Sequence, residues 1–412
     1  MGKKVSVLCI TYNQEKYISK ALDSIFSQNT TFDFEVIVHD DASTDGTKAI
    51  IEKYKERFGD KLKVYYEKNN KYSTGELEQI LNDIIICDSE SEYVAFCEGD
   101  DYWIDRQKLQ IQVDYMDEHP KCVLTGHNSL WVDNITHEIT VCNGIEKQGK
   151  VSVEEIIGNR RGCFATASMV LRREKFVRPE PFSECSIGDW PRKLYLAEQG
   201  DVYYFDRIMS VYNLYANNSW SLSTIQRKNR IIHELDMITF FKKLDAHWNY
   251  MYKNAIDRQI ESFANDIIYQ LDKDDTQDKE SIISNIYSET GKKYCEACKM
   301  IIDRIGLKEN ENEKLIEFAN KYTYRVIMGC GTKAIKLTEL MEKLHMTVDG
   351  YVVSNNQTAP FEYNKKRVWR LCDMPFEKKN VAIIIGIQND IQEEIVSSLN
   401  ENGISEYFWP SI

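Results

Sequence analysis

The sequence predicts an α/β protein in which two regions of alternating strands and helices flank a helical region. Over residues 1–221, short apolar runs alternate with segments whose apolar residues fall at helical spacing. Longer amphipathic stretches take over in residues 222–322, and the alternation returns in residues 323–412. Strand–helix–strand repetition is typical of a mostly parallel sheet with helices on its faces. We therefore predict three domains with these limits.

The first domain opens with a buried strand and continues as strand–helix units. Strands are predicted at residues 5–10, 34–38, 64–66 and 93–97, each an apolar run bounded by polar residues. Helices are predicted at residues 17–26 and 47–58, and Ser43, Thr44 and Asp45 supply turn and N-cap residues before the second helix. This order of elements is the basis for expecting parallel strands.

Polar clusters follow three of these predicted strands. In parallel sheets, ligands bind beyond the carboxyl ends of the strands, so we expect the clusters to meet at one edge of the sheet. They are Thr11-Tyr12-Asn13, Asp40-Asp41 and Glu98-Gly99-Asp100-Asp101.

The third cluster has the chemistry of a metal site. Glu98 and Asp100 are separated by one residue, so in an extended chain their carboxylates share a face. Two such carboxylates repel each other unless a cation lies between or beyond them. Oxygen ligands suit Mg²⁺ or Mn²⁺, which keep positions open for substrate phosphates. The spacing alone fits equally well an acidic loop that is solvated and caps neighbouring helices.

Composition excludes several classes of function. The 412 residues carry a formal net charge of −13, which argues against a general binder of nucleic-acid backbones. No apolar stretch reaches the ~20 residues that span a membrane, and no signal peptide is evident. The 11 cysteines are odd in number and scattered, as is usual for reduced thiols in a cytosol. We expect a cytoplasmic protein without a nucleic-acid partner or transmembrane segment; peripheral membrane contact stays open.

Four segments make the first 221 residues resemble the family 2 glycosyltransferases. They read VSVLCITYNQEKYISKALDSIFSQ, FEVIVHDDASTDGT, YVAFCEGDDYW and GDWP, in the order in which the family has them. The family consists of inverting enzymes with the GT-A fold, a Rossmann-like domain that binds a nucleotide sugar. The resemblance therefore implies a GT-A domain at residues 1–221.

The resemblance also implies roles for individual residues. Donor contacts are expected from the first loop and from both acidic clusters, at Thr11, Tyr12, Asn13, Glu15, Asp41, Asp100 and Asp101. Asp100 corresponds to the metal ligand of the DxD-type motif, and Glu98 replaces its first Asp with a longer side chain. Mn²⁺ or Mg²⁺ is the implied cofactor. Related enzymes often carry a His where this chain has Tyr215, so the metal has fewer protein ligands here or this lobe is built differently.

The catalytic base of the family corresponds to Asp189. An acceptor hydroxyl must lose its proton as it attacks the anomeric carbon, and a positioned base typically contributes ~10²–10⁴-fold to the rate. The nucleoside diphosphate leaves from the opposite face, its charge held by the metal, and the anomeric centre inverts. A structural role is also open, because Asp189 precedes Pro191 and a helical pattern, where it could cap the helix.

The donor is partly defined by the sequence. The Asp41 carboxylate can only accept hydrogen bonds, which fits uracil, thymine or guanine but not cytosine. UDP sugars are the commonest donors in the family. Residues 163–168 either line the sugar subsite or form a core strand.

The last domain is predicted to be a small Rossmann-like unit. It follows a helical region with amphipathic stretches at 231–244 and 256–271, and its first strand, 324–328, runs into the G-x-G-x-x-A pattern of residues 329–334. A dinucleotide site needs an acid at the end of the second strand, but that strand ends in Ser354-Asn355-Asn356. A mononucleotide site and a partner-docking surface are the alternatives.

We therefore expect a metal-dependent, inverting hexosyl- or N-acetylhexosaminyl-transferase that uses a UDP sugar. The acceptor is a hydroxyl of a surface glycan, a lipid-linked intermediate or a protein such as a flagellar protein. A nucleotidyltransferase is one alternative, but residues 10–14 lack the Gly-, Arg- and Lys-rich phosphate loop of that class. A non-catalytic nucleotide-sugar sensor is the other alternative, and it would not need both Asp100 and Asp189.

Overall fold

A computed structural model describes residues 2–142, 144–160, 163–272, 279–387 and 392–410. The chain forms two compact units, Met1–Ile301 and Ile302–Ile412, and each contains a β-sheet with helices. The predicted α/β class, with a helical region and a second Rossmann-like sheet, is confirmed. The three domain limits given above stay a prediction.

One sheet runs through the first unit. Its strands are β1 (Val5–Thr11), β2 (Phe34–Asp40), β3 (Leu62–Tyr66), β4 (Tyr93–Phe96), β5 (Tyr102–Trp103), β6 (Cys122–Asp133), β7 (Ile139–Val141), β8 (Gly149–Val151), β9 (Val170–Arg172) and β10 (Asp201–Leu214). Their order is β3-β2-β1-β4-β9-β6-β10-β5, with β7 beside β6 and β8 beside β10.

The predicted parallel half of the sheet is present, and the other half is mixed. Strands β3, β2, β1 and β4 are parallel to one another. Strand β9 is antiparallel to both β4 and β6, whereas β6 and β10 are parallel. Because β9 is antiparallel to both of its neighbours, β4 and β6 run in the same direction. β6 and β10 therefore run the same way as β1 and β4. The carboxyl ends of β1, β2, β4 and β10 therefore lie at the same edge of the sheet.

Helices of the first unit cover this sheet and extend beyond it. They are α1 (Ile18–Phe26), α2 (Thr47–Phe58), α3 (Lys71–Thr74), α4 (Leu77–Cys87), α5 (Lys108–Glu118), α6 (Val153–Gly158), α7 (Asp189–Gln199), α8 (Trp220–Ser223), α9 (Arg227–His247), α10 (Lys253–Leu271) and α11 (Lys279–Thr290); α12 (Cys295–Asn320) runs across the division between the units.

Apolar periodicity explains the core of the first unit. Strand β1 is buried on both faces, as expected for a parallel strand covered by helices. Helix α1 places Ile18, Leu22 and Ile25 on one fully buried stripe. These side chains pack with those of β2 and β4 in one continuous cluster. Strand and helix patterns thus bury the same core from two sides.

Helices α9 and α10 pack against α6 and α7 within the first unit. Trp190, the second residue of α7, lies 5.3 Å from Phe241 of α9 and 6.1 Å from Phe263 of α10, measured between ring centroids. Arg160, just after α6, pairs with Glu234 of α9 at 2.7 Å and with Asp266 of α10 at 3.2 Å. The first part of the predicted helical region therefore supports the helix that begins at Asp189.

The second unit is a smaller sheet with flanking helices. Its elements are β11 (Tyr324–Met328), α13 (Thr332–Lys343), β12 (Gly350–Val353), β13 (Glu362–Tyr363), β14 (Lys366–Arg370), β15 (Val381–Ile385) and α14 (Gln392–Glu401). The strand order is β13-β14-β12-β11-β15, parallel except for the β13–β14 pair. The Gly329–Gly331 turn lies between β11 and α13, as the pattern predicts. Across the described parts of both units, no helix has the length and apolar character needed to cross a membrane.

Candidate active site

The first loop, which follows β1, is held in place by the loop after β2. The backbone N–H of Asn13 donates to Ser43 Oγ at 2.8 Å, and Asn13 Oδ1 accepts from the backbone N–H of Thr44 at 2.7 Å. Asn13 has a φ of 52°, a left-handed conformation that asparagine tolerates better than most residues. Tyr12 beside it is half-buried. These contacts hold the predicted first loop against the loop that follows β2.

Two predicted donor-binding acids are committed to backbone groups. Asp41 is 2% exposed, and its two oxygens accept from the backbone N–H groups of Lys71 at 2.6 Å and Tyr72 at 3.0 Å. Glu15 Oε2 accepts from the backbone N–H of Gly46 at 2.8 Å, at the start of α2. In this structure both side chains hold loops together.

The acidic segment after β4 lies directly against the first loop. The backbone N–H of Gly99 donates to the carbonyl of Ile10 at 2.9 Å. The Thr11 hydroxyl donates to Gln14 Oε1 at 2.8 Å, and the Gln14 side chain also donates to the Asp100 carboxylate. A Cβ on Gly99 would lie 2.8 Å from Thr11 Oγ1 and overlap the Gln14 side chain, so this position has room only for glycine. Gln14 was not predicted, although it lies three residues after Thr11.

Asn213 at the end of β10 fastens the same segment from the other side. Its backbone N–H donates to Asp101 Oδ1 at 2.9 Å, and its amide Nδ2 donates to the carbonyl of Asp100 at 2.6 Å. Asp101 is 1% exposed, and its Oδ2 is buried without a hydrogen-bond partner. Glu98 and Asp100, by contrast, are partly exposed. Asp101 therefore lies beneath the other two acids.

The electrostatics of the acids show that they are crowded. Burial, with repulsion from Asp100 and Asp189, raises the pKa of Glu98 to about 8, although the Thr166 hydroxyl binds it. Burial raises the pKa of Asp100 to about 6 against the hydrogen bond from Gln14. Burial and the charges of Asp100 and Glu98 hold the pKa of Asp101 well above its ordinary value. A cation at this place would relieve all three shifts.

Asp189 is close enough to act electrostatically on this acid cluster. It is the first residue of α7, after the N-cap Gly188, and it is 34% exposed. Lys193, one turn further, donates to Asp189 Oδ2 at 2.9 Å. Burial would raise the pKa of Asp189, but the charge and hydrogen bond of Lys193 outweigh it and the pKa lies below its ordinary value. The carboxylate also accepts from the backbone N–H of Trp190, so it stabilises the start of the helix.

Tyr215 and segment 163–168 are the remaining parts of the predicted site. Tyr215 directly follows β10 with a φ of 58°, and its backbone N–H donates to Ser221 Oγ at 2.9 Å. The alternative that residues 163–168 form a core strand is wrong, because Thr166–Ser168 form a turn of 3₁₀ helix. Thr166 thereby reaches Glu98.

A polar cavity of about 290 Å³ adjoins the first loop. It is lined by Asn13, Glu15, Lys16, Tyr17, Thr44, Asp45, Asn217 and Asn218. None of Glu98, Asp100 and Asp189 lines it, so this cavity is separate from the acid cluster. Among the described residues, no group of three or more His, Cys, Asp or Glu side chains is arranged to hold a metal ion.

Comparison with known proteins gives a family match to the first unit. Residues 6–173 match the sequence model described as Glycosyl transferase family 2. An uncharacterized protein of Mycobacterium tuberculosis is 31% identical over 224 residues, which are 54% of this chain and 62% of that protein. The poly(ribitol-phosphate) beta-N-acetylglucosaminyltransferase TarS of Staphylococcus aureus is 38% identical over 122 residues, 29% of this chain and 20% of TarS. The matched region therefore spans less than two thirds of these relatives.

Solved structures show more distant likenesses. The crystal structure of S. aureus TarS 1-349 in complex with UDP-GlcNAc has 19% sequence identity and a TM-score of 0.42, covering 68% of this chain and 83% of that chain. The mannosyltransferase PcManGT from Pyrobaculum calidifontis, in complex with GDP-Man and Mn²⁺, has 16% identity and a TM-score of 0.43, covering 73% and 85%.

Proposed function

We propose that this chain, whose residues 6–173 match the glycosyl transferase family 2 model, transfers a sugar, with inversion, from a UDP sugar to an acceptor hydroxyl. The observation that carries the proposal is the approach of Asp189 to the acid cluster. The negative charges of Asp100 and Asp189 both raise the pKa of Glu98, although Asp189 is about ninety residues away in the chain. This electrostatic coupling supports a proton acceptor at Asp189 beside a cation site at Glu98 and Asp100.

The residues present fit a divalent metal ion. Asp100 with Glu98 would hold Mn²⁺ or Mg²⁺, and the donor diphosphate would supply further oxygen ligands, as is usual when one or two carboxylates bind such ions. The raised pKa values of Glu98 and Asp100 and the unpartnered Oδ2 of Asp101 support this assignment. When bound, the ion stabilises the negative charge of the departing diphosphate.

Other residues at this edge of the sheet position Asp100 or accept the proton. Gln14 and Asn213 hold Asp100 in place from two sides, and Gly99 keeps the backbone against the first loop. Asp189 accepts the proton of the acceptor hydroxyl at its exposed carboxylate side as the sugar is attacked. The diphosphate lies on the opposite face of the sugar, so a single displacement inverts the anomeric centre.

The nucleotide is proposed to lie against the first loop, with Thr11, Tyr12 and Asn13 beneath it. Asp41 can bind the ring N–H of uracil, because a carboxylate has about four acceptor sites and the two backbone N–H groups use two. Since Asp41 is 2% exposed, such a contact requires residues 71–72 to shift. Glu15 is proposed to act by holding the start of α2.

For the donor sugar we propose a first compound to test, and for the acceptor we propose only a chemical class. TarS is named for transfer of N-acetylglucosamine, so UDP-N-acetylglucosamine is the first donor to test. The acceptor is proposed to be a surface-glycan, lipid-linked or protein hydroxyl. A cytoplasmic location fits the 11 cysteines, which are scattered along the chain.

The proposal is tested by measuring UDP release from a panel of UDP sugars in the presence of Mn²⁺, with GDP-mannose as a comparison donor. We expect release of UDP that stops in excess EDTA and returns with Mn²⁺ or Mg²⁺. Release of inorganic diphosphate from a nucleoside triphosphate would instead identify a nucleotidyltransferase. Tight binding of a nucleotide sugar without cleavage, even with acceptor-rich cell-envelope extracts, would identify a sensor.

A further inference from the structure

Lys193 lies one turn after Asp189 in α7, and the proposed mechanism has given it no part. Its side chain is 0% exposed. The Nζ atom donates to Asp189 Oδ2 at 2.9 Å and to the backbone carbonyl of Phe164 at 2.7 Å. Burying an ammonium group is costly unless it is paired and hydrogen-bonded. A lysine at this place therefore depends on these two contacts.

The Lys193–Asp189 contact differs from an ordinary ion pair on a helix surface. In the i,i+4 pair Lys253–Asp257, both side chains are about half exposed, at 55% and 52%, and such pairs contribute little. Here the lysine is fully buried and the aspartate is 34% exposed. Lys193 thus holds the carboxylate from the protein interior and leaves its outward side open.

The second contact ties the lysine to the other side of the site. Phe164 lies two residues before Thr166, whose hydroxyl binds Glu98. The charge of Lys193 also acts on Glu98. Lys193 therefore connects the start of α7 with the segment that reaches the acid cluster, and it brings a positive charge to a place where three carboxylates repel one another.

We propose that Lys193 is a positioning residue for the proton acceptor: it fixes the orientation of the Asp189 carboxylate and balances its charge beside Glu98. The inference rests on the proposed function, because it concerns the same proton transfer. Lys193 itself touches neither donor nor acceptor and acts through Asp189. Orientation is decisive for such a group, since a misplacement of about 1 Å can cost ~10²-fold in rate.

A double-mutant cycle tests this role. Turnover of UDP-N-acetylglucosamine, or of the donor in the panel that the unaltered chain cleaves, is measured for Lys193→Met, Asp189→Asn and the double variant. Affinity for UDP with Mn²⁺ is measured alongside. We expect Lys193→Met to lower kcat by ~10²-fold with little change in UDP affinity, and Lys193→Arg to recover most of the rate. In the double variant the rate should match that of Asp189→Asn alone, because Lys193 acts through Asp189.

Control variants separate this role from a general effect on folding. Lys253→Met removes the exposed i,i+4 pair by the same substitution and should leave turnover unchanged. If Lys193→Met does not fold, Lys193→Gln replaces it in the cycle, since glutamine keeps a hydrogen-bond donor without the charge. Losses that multiply in the double variant, or a Lys193 variant that turns over at the unaltered rate, would overturn the inference alone. No turnover of any donor by the unaltered chain would overturn the proposed function, and the inference with it.

Discussion

At the scale of single residues, the acids proposed to react are held in place by neighbouring side chains that take no part in the proposed chemistry. Gln14 and Asn213 hold Asp100, and Lys193 holds Asp189. Asp100, Glu98 and Asp189 were predicted as site residues because acids at a strand end and before a helix match a family motif. Gln14 and Asn213 are uncharged and belong to no metal or base pattern, so their contacts with Asp100 appear only when β1 and β10 are seen beside β4. Lys193 had a signal, its i,i+4 spacing from Asp189, but spacing alone cannot distinguish a buried pair from an exposed one.

Asp100→Asn is predicted to stabilise the metal-free protein while removing its response to metal. Burial raises the pKa of Asp100 from 3.8 to about 6, so the folded state binds a proton on this carboxylate more tightly than the unfolded state does. The free energy of unfolding therefore falls as the pH rises between these two values. The variant should therefore be more stable than the unaltered chain at pH 8 in EDTA, by on the order of 1–3 kcal/mol, with the advantage shrinking toward pH 4.

Thermal melting at both pH values, with EDTA or Mn²⁺, checks this prediction. Mn²⁺ should raise the melting temperature of the unaltered chain and leave Asp100→Asn unchanged. Asp257→Asn, at an exposed helix position, is the matched control and should respond to Mn²⁺ like the unaltered chain. An Asp100→Asn variant that still gains stability from Mn²⁺ would show that the metal is held elsewhere.

Gly99→Ala is predicted to disrupt the acid cluster through packing alone. The added methyl group would lie 2.8 Å from Thr11 Oγ1 and overlap the Gln14 side chain, so the first loop or the acidic segment must move. Overpacking of this kind typically costs about 1–3 kcal/mol, and UDP binding with Mn²⁺ should weaken. Calorimetric titration with UDP checks this, with Gly158→Ala as control because a Cβ there meets no atom within 4 Å. Equal UDP affinity of Gly99→Ala and the unaltered chain would contradict the proposed contact.

At the scale of elements, those that were predicted have strong apolar periodicity, whereas those that were not predicted depend on pairing between strands that are distant in sequence. Strands β1, β2 and β4 and helices α1 and α2 carry strong apolar periodicity and were predicted within a few residues of their limits. Strands β6 and β10, of 12 and 14 residues, are half polar and irregular in register, so their pattern is weak. The antiparallel position of β9 depends on pairing with β4 and β6, which are distant in sequence.

Helix α4 is predicted to fasten the start of α7 through one carboxylate. Glu78 Oε1 accepts from Arg178 Nε at 3.1 Å and from a terminal nitrogen of Arg192 at 2.8 Å, and Arg178 also donates to the carbonyl of Gly188 at 2.9 Å. Both arginine side chains are nearly fully buried, at 2% and 4% exposure. Glu78→Ala should therefore cost roughly 3 kcal/mol of stability, because two buried guanidinium groups lose their counter-ion.

Urea unfolding of Glu78→Ala and Asp83→Ala provides the comparison within one helix. Asp83 is exposed on the same helix and accepts a hydrogen bond from Gln79, so its replacement should change stability by less than about 1 kcal/mol. The Glu78 variant should also lose turnover, since the segment before Asp189 loosens. If Glu78→Ala lowered the free energy of unfolding as little as Asp83→Ala, the proposed role of Glu78 in holding Arg178 and Arg192 would be contradicted.

At the scale of the whole molecule, the packing of α9 and α10 bears on where the catalytic unit ends. The sequence predicts a limit at residue 221, where the composition becomes helical. The first compact unit extends to Ile301, and Trp190 packs on Phe241 and Phe263 beyond the predicted limit. A change of pattern marks where the secondary structure changes, whereas the limit of a folding unit depends on tertiary contacts that a pattern does not contain.

A chain ending at Ile301 is predicted to bind UDP with Mn²⁺ as the full chain does, and a chain ending at Ser221 is predicted to bind it poorly or to aggregate. The shorter chain loses the aromatic partners of Trp190 and the ion pairs of Arg160 with Glu234 and Asp266. Thermal melting and UDP titration of the two truncated chains check this. Equal stability and affinity of both would instead support the limit at residue 221.

The proposed mechanism depends on Asp189 as the proton acceptor beside a metal-binding edge, and the Asp189→Asn variant tests this most directly. Three quantities are measured on one preparation: UDP affinity with Mn²⁺, melting temperature and kcat for donor cleavage. We predict nearly unchanged affinity and a kcat lower by ~10²–10⁴-fold, since asparagine keeps the size of the side chain but cannot take the proton. A variant that melts at a lower temperature yet turns over near the unaltered rate would show that Asp189 only stabilises the start of α7, and would contradict the proposed mechanism.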